Sequence, residues 1–432
     1  MIRDAIFLIS VLGMLPISFR APHVGVLLWG WFAFMNPHRE AWNVAGLLRI
    51  NLLIALVTIG AWILSREPKR LPMDATALLL LTFAGWITLT TLIAISPEDA
   101  QYYWGRTVKT LVFIFMILII MQSRVRVHAF MWIIAVSLGY WAVKGGLFFI
   151  LSGGRYRFFG PDQSMIYDNN HLALALVITL PILNYLRMQS ANRHVRLGLA
   201  GAMLGTVASV LVSYSRGGLL GLLAAFGFLW LKSKTKLVTM MVLIPLLASL
   251  VVFAPASWKD RIGTLEDLSQ DSSFLGRLHA WEVNFKYALD HPITGAGFYG
   301  TVSNDIFWRY VPEAKSGRAA HSIYFQVLGD HGFIGLGLYL LIAAVAWHNA
   351  SWIMRRTRSR PDLSWAHDLA AMLKVSLFSF FVAGAALSMA YYDVYFALIA
   401  MLAITRRQVA LALAEETERA RPVGAVARSW QG

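Results

Sequence analysis

Five arginines and one histidine are the residues of this sequence whose types and settings could do chemistry. Arg155 and Arg157 stand in SGGRYRFFG, Arg216 in SYSRGG, Arg277 in LGRLHAW and Arg318 in SGRAAHS, just before His321. Arginine presents a rigid planar fork that matches phosphate oxygens in pairs and never loses its charge. Several such forks converging near a bilayer surface would suit a lipid-linked phosphate or pyrophosphate. The plain alternative is that each arginine snorkels to lipid headgroups. Arg216 is the sharpest case, because only a Ser-Arg-Gly-Gly turn separates two apolar runs there, and a charge at that depth is costly without a partner. His321 follows Ala319-Ala320 and opens a long apolar run. A histidine there can be neutral at pH 7 and accept a proton from an attacking hydroxyl, or it can simply cap a helix. His171, His279 and His331 read as structural.

What the sequence lacks narrows the chemistry. It has no cysteine, so disulfide and thiolate chemistry are excluded. No Asp-x-Asp or His-Glu-x-x-His occurs, and the carboxylates outside are scattered: Asp162, Asp168, Asp260, the adjacent Glu266 and Asp267, Asp271, Asp305 and Glu313. Neither a metal nor another cofactor is expected. There is no phosphate loop of the nucleotide-binding type and no Gly-x-Ser-x-Gly elbow.

The elements that must position these residues follow from composition. The chain has 432 residues, 58% of them hydrophobic and only 14% charged. A soluble domain of that length needs more charge to cover its surface. Thirteen apolar runs, too long and continuous for barrel strands, make the fold class all-α: a polytopic helical membrane protein. The net charge of +15 lies mostly in short loops between the runs and reads as topology and attraction to anionic lipid rather than nucleic-acid binding. The basic clusters Arg66/Lys69/Arg70, Arg124/Arg126, Arg187/Arg193/Arg196, Lys232/Lys234/Lys236, Arg355/Arg356/Arg358/Arg360 and Arg406/Arg407 fall at every second loop, which places them all in the cytoplasm.

The first two runs are each short of the roughly 20 residues a span needs, and Pro16 and Pro22 sit at their junction. Residues 3–36 are therefore expected to cross once, as a broken pair. That gives about 12 transmembrane helices with both termini cytoplasmic; thirteen spans with the N-terminus outside is the alternative. With no small-residue cleavage site, the first run is expected to be retained. The membrane bundle is expected over 1–254 (spans 1–9) and 322–405 (spans 10–12), with a cytoplasmic tail over 406–432. The long outside loop, 255–321, carries an amphipathic helix at about 275–290, with Leu275, Leu278, Trp281, Phe285 and Leu289 on one stripe. Gly295, Gly297 and Gly300 should make a flexible turn after it. All five arginines and His321 then share the side away from the cytoplasm, where basic residues run against the topology signal.

Three pieces of sequence, in order, resemble the O-antigen ligase and polymerase superfamily of bacterial envelope enzymes: SYSRGGLLGLL, GRLHAWEVNFKYALDHPITGAGFYG and AHSIYFQVLGDHGFIGLGLY. The first is similar to the family's Ser-Arg-Gly turn, the second to its Arg-x-x-x-Trp helix with Pro-x-x-Gly-x-Gly, the third to its His-Asn-x-x-Leu-Gln pattern. Ser322, Phe325 and Asp330 stand where the family usually has Asn, Leu and Glu. RYRFFGPDQSMIYDNNHLA is similar, more loosely, to an upstream family stretch.

The resemblance implies a glycosyltransferase of the bacterial inner membrane with its site facing the periplasm. Its donor would be a glycan on undecaprenyl pyrophosphate and its acceptor a sugar hydroxyl, on lipid A–core for a ligase. It further implies metal-independent, inverting transfer, with His321 as general base and Arg216 and Arg277, helped by Arg155, Arg157 or Arg318, on the pyrophosphate. A polymerase, or a ligase acting on another envelope acceptor, remains open on sequence. So does a flippase or transporter, although no repeated halves are visible and few charges interrupt the spans.

Overall fold

The computed structural model describes residues 2–40, 49–232, 236 and 272–419, and among these every regular element is helical. The elements are α1 Ile2–Arg20, α2 Pro22–Met35, α3 Ile50–Leu64, α4 Ala75–Leu92, α5 Pro97–Ile120, α6 Arg124–Ser152, α7 Asn169–Gln189, α8 Arg193–Val212 and α9 Arg216–Lys232. Beyond the gap come α10 Ser272–Asp290, α11 Asn304–Tyr310, α12 Ile323–Thr357, α13 Ser364–Gly384 and α14 Asp393–Arg419.

Local chemistry sets the boundaries. Asp74, Ser123, Asp168 and Asn192 each accept a backbone N–H from the first turn of the helix they precede. Pro97 opens α5, where a missing N–H costs nothing. Pro22 forces Ala21 out of helical geometry and separates α1 from α2.

Eight of these helices are long and apolar enough to cross a membrane, and four apolar stretches are shorter: Leu8–Arg20, Pro22–Met35, Ile50–Leu64 and Arg216–Leu231. The protein is a multi-pass membrane protein on this pattern, which falls short of twelve full-length spans among the described residues. The apolar run at 237–254, the loop portion 255–271 with Asp260, Glu266, Asp267 and Asp271, and the tail from 420 lie outside the described residues. The first part of the expected tail, up to Arg419, is the uninterrupted continuation of α14.

Two helices form the axis of the bundle. α7 is buried almost all round, packed by α6, α8, α9 and α13. α14 is buried continuously from Asp393 to Thr405, against α5, α12 and α13. A helix apolar on every face belongs in such an interior position. Around this axis large apolar side chains such as Leu64, Leu92 and Leu151 are exposed, which suits a surface that meets lipid.

Two features position the site. α12 is broken at Gly332 (φ 68°, ψ −171°), where a Cβ would collide with the carbonyl of Ile293. The segment 292–297 fills the break: Pro292 O accepts from Phe333 N at 2.8 Å, Ala296 N donates to Gly329 O at 2.9 Å, and Gly297 N donates to Asp330 O at 2.9 Å. The glycine turn expected to be flexible is thus a docked segment. Gly295 (φ 65°) and Gly297 (φ 77°) are required by close approach, to the backbone of α12 and to Ala94 respectively. The second feature is α10. Its buried face is made of Ala280, Val283, Asn284, Tyr287 and Ala288, while Leu278, Phe285 and Leu289 point outward. Trp281 ties it to α12, donating to Ala320 O at 2.7 Å and stacking on Phe325 with ring centres 5.2 Å apart.

Candidate active site

His321 sits at the mouth of α12 in a left-handed conformation (φ 44°), uncommon for a residue with a side chain. Its backbone N–H donates to Ser388 Oγ at 2.7 Å, which fixes it to the turn between α13 and α14. The imidazole is half-buried, and its pKa is lowered to about 4. Burial is the largest cause, followed by the positive charge of Arg277; His171 and Arg318 push the same way and Asp168 opposes them. His321 is therefore neutral at pH 7, the state in which it can accept a proton.

Three segments far apart in sequence thus converge on this histidine. Arg277 comes from α10, where Gly276 makes room for its neighbour: a Cβ at position 276 would stand 2.5 Å from Nη1 of Arg318. His171 and Asp168 come from the start of α7, where the Asp168 carboxylate accepts from Asn170 N at 2.8 Å and holds the helix end in place.

Arg216 opens α9 at the same end of the bundle. Asn169 donates to Ser213 O at 2.6 Å, and Ser215 Oγ caps Gly218 N at 3.0 Å. Gly218 lies close against Ala173, and Gly217 against Ala383 and Leu387, the residue before Ser388. The backbone of Arg216 is thereby bracketed by the two elements that also hold His171 and His321. Arg155 and Arg157 are exposed on the 153–168 segment, which is fastened to the same region by Phe158 N donating to Val212 O at 3.1 Å. They are not among the charges that act on His321. Arg318 is exposed and lies along α10. Among the described residues no group of three or more His, Asp or Glu side chains is placed to hold a metal ion.

Beside His321 opens a cavity of about 190 Å³. His171 and Ser388 form the wall it shares with the histidine; Tyr103, Arg106, Tyr299, Gln326 and Tyr391 form much of the rest. Tyr103 and Tyr299 are stacked, with ring centres 4.2 Å apart and planes within 7°. Tyr299 holds a positive φ of 61°, pinned by its N–H on Asp330 Oδ1 at 3.0 Å, and Tyr391 donates to Asp330 Oδ2 at 2.8 Å. A single buried carboxylate thus clamps two walls of the cavity.

Arg106 and Tyr299 line the candidate site although the sequence alone does not single them out, and His171, which reads as structural in the sequence, lines it too. Arg106 carries a visible signal, a further cation at the outside mouth of a span. His171 and Tyr299 carry none, because what marks them is their neighbours in space.

The chain is thus an all-helical, multi-pass membrane protein with Arg277 and Arg318 gathered about a neutral histidine at one end of its bundle. Residues 201–340 match the family described as O-Antigen ligase, a match consistent with the O-antigen ligase and polymerase superfamily. That stretch contains Arg216, Arg277, Arg318 and His321. Residues 2–191, which contribute Arg106, Asp168 and His171, match a family of unknown function. No curated protein matches the chain. The ligase family implies glycosyltransferase-type activity, with a lipid-linked glycan and an acceptor as partners in general terms.

Proposed function

We propose that this protein is an O-antigen ligase. It transfers a glycan from undecaprenyl pyrophosphate to a sugar hydroxyl of lipid A–core, at the periplasmic face of the bacterial inner membrane. The observation that carries the reading is the positive potential of Arg277 and Arg318 at a neutral His321, beside an open cavity and within the ligase-family stretch. The acceptor hydroxyl gives its proton to the His321 imidazole while its oxygen bonds to the anomeric carbon. The bond from that carbon to the pyrophosphate oxygen breaks, and the electron pair leaves with undecaprenyl pyrophosphate. Attack from the face opposite the leaving group inverts the anomeric centre. Arg216, Arg277 and Arg318 stabilise the charge that develops on the leaving group, with Arg155 and Arg157 at the rim. General-base help of this kind contributes about 10²–10⁴-fold.

The test is transfer by purified protein in nanodiscs, with a polyprenyl-pyrophosphate glycan as donor and lipid A–core as acceptor. Glycosylated lipid A–core is expected from the wild type. His321→Ala should abolish transfer, and Arg216→Lys should impair it despite keeping the charge, since a point charge lacks the fork. A well-folded, fully active His321→Ala protein would remove the general-base role. Extension of the lipid-linked glycan with lipid A–core untouched would instead make the protein a polymerase.

A further inference from the structure

The cavity beside His321 differs in chemistry from the arginine cluster in front of it. Its lining is aromatic and mostly neutral, apart from Arg106 and His171: the stacked pair Tyr103 and Tyr299, the hydroxyls of Thr107 and Thr110, and the amide of Gln326. The Gln326 carbonyl accepts from Ala390 N at 3.2 Å, which leaves its amide nitrogen as a donor. Flat aromatic faces with neutral donors and acceptors around them are the surroundings that a sugar ring requires, since the ring offers apolar C–H faces and a rim of hydroxyls. At about 190 Å³ the space is smaller than the roughly 300–1,000 Å³ of pockets that enclose drug-sized ligands, and it accommodates one sugar unit rather than a whole glycan.

Arg106 is the exception in this lining. Its guanidinium carbon lies 5.9 Å from the ring centre of Tyr102, and among the described residues it has no hydrogen-bond or ion-pair partner. It acts electrostatically on the buried Asp393 without pairing to it. A half-buried arginine within a membrane bundle is costly unless an anion meets it.

We propose that this cavity is the acceptor-sugar subsite, and that Arg106 selects a sugar carrying one negative charge, a carboxylate or a phosphate. The inference rests on the ligase reading for the word acceptor, but the binding preference stands by itself. It also explains what the N-terminal stretch contributes. Tyr103 supplies the stacking face, Arg106 reads the charge, and His171 closes the wall toward His321. The pyrophosphate belongs to the separate cluster around Arg277.

The experiment measures binding in nanodiscs, without donor, of three soluble probes: phenyl β-glucoside, phenyl β-glucuronide and phenyl β-glucoside 6-phosphate. The wild type should bind one or both anionic probes roughly tenfold more tightly than the glucoside, the size of effect expected when a charged hydrogen bond is gained. Which anionic probe binds tighter identifies the charge. Arg106→Gln should bring the ratio close to one, Arg106→Lys should keep part of it, and Tyr103→Ala should weaken all three probes. Arg277→Gln should leave the ratio intact. Absence of a preference in the wild type, or a ratio lost in Arg277→Gln and kept in Arg106→Gln, overturns the proposal. If the preference follows Arg106 while the wild type forms no glycosidic bond with any acceptor, the ligase reading falls and the anionic-sugar site stands.

Discussion

At His321 two requirements of a general base pull apart. A pKa of about 4 guarantees a free imidazole at pH 7 but makes it a weak base, when the most effective value lies near the working pH. The charges that lower it resolve the conflict. Burial acts first and Arg277 second, so an anion bound by the arginines cancels part of their potential and raises the imidazole pKa only when donor is present. The sign is fixed: below its pKa the imidazole is protonated and cannot act, so activity falls as pH drops. The acid limb of kcat/KM, which reports the free enzyme, should lie near pH 4, and the limb of kcat should lie at higher pH. Arg277→Gln should move the kcat/KM limb upward, stopping short of 6.5 because burial persists. Steady-state transfer rates between about pH 3.5 and 8 read both limbs. A kcat/KM limb unmoved by Arg277→Gln would show that the arginine's charge does not reach the base.

The elements that hold this chemistry are joined at the break in α12. Asp330 accepts from the Tyr391 hydroxyl and the Tyr299 N–H, and the carbonyls beside it receive Ala296 and Gly297. Asp330→Ala leaves two buried donors without acceptors, at about 1–3 kcal/mol each. Purified Asp330→Ala protein should therefore melt several degrees lower than wild type, with sugar binding weakened because Tyr299 loses its anchor. Asp330→Asn keeps an acceptor oxygen and should fall between the two. An unchanged melting temperature for Asp330→Ala would show that the clamp does not hold the segment. This junction is barely legible in the sequence. Apolar runs and capping residues announce the helices, because those signals are local; the stripe Leu275, Leu278, Trp281, Phe285 and Leu289 announces α10 but not that Trp281 turns inward to Ala320 and Phe325. Gly295, Gly297 and Gly332 look in sequence like ordinary punctuation. Gly295 and Gly332 mark a close approach between segments roughly 35 residues apart, and Gly297 one to the distant Ala94, which no local period records. His171 and Tyr299 are obscured for the same reason, since each joins the candidate site only through neighbours brought to it from other segments across the bundle.

On the scale of the whole molecule, charge is segregated along the chain in a way that assigns its two ends. The His321 end gathers arginines from α9, α10 and the segment before α12. Among the described residues the opposite end carries basic clusters partly neutralised by acids: Arg126 forms a two-pronged pair with Glu67, and Arg360 bridges Asp362 and Glu416. The proposed ligase has that opposite end in the cytoplasm and the His321 end in the periplasm, the orientation the positive-inside rule favours. A donor carried on undecaprenyl pyrophosphate requires this arrangement of the proposed site. The chain is well suited to a direct test because it contains no cysteine, so one introduced thiol is the only thiol. Glu313→Cys, at an exposed position before His321, should react in intact cells with a maleimide that cannot cross the inner membrane. Arg358→Cys, exposed beyond the far end of α12, should react only after the membrane is opened. Because a single helix, α12, joins the two positions, opposite labelling means that α12 crosses the bilayer with His321 outside. Labelling of Arg358→Cys but not Glu313→Cys in intact cells would invert the topology. It would put the histidine and its arginines on the side where the lipid-linked glycan is absent, and the ligase reading would fail with it.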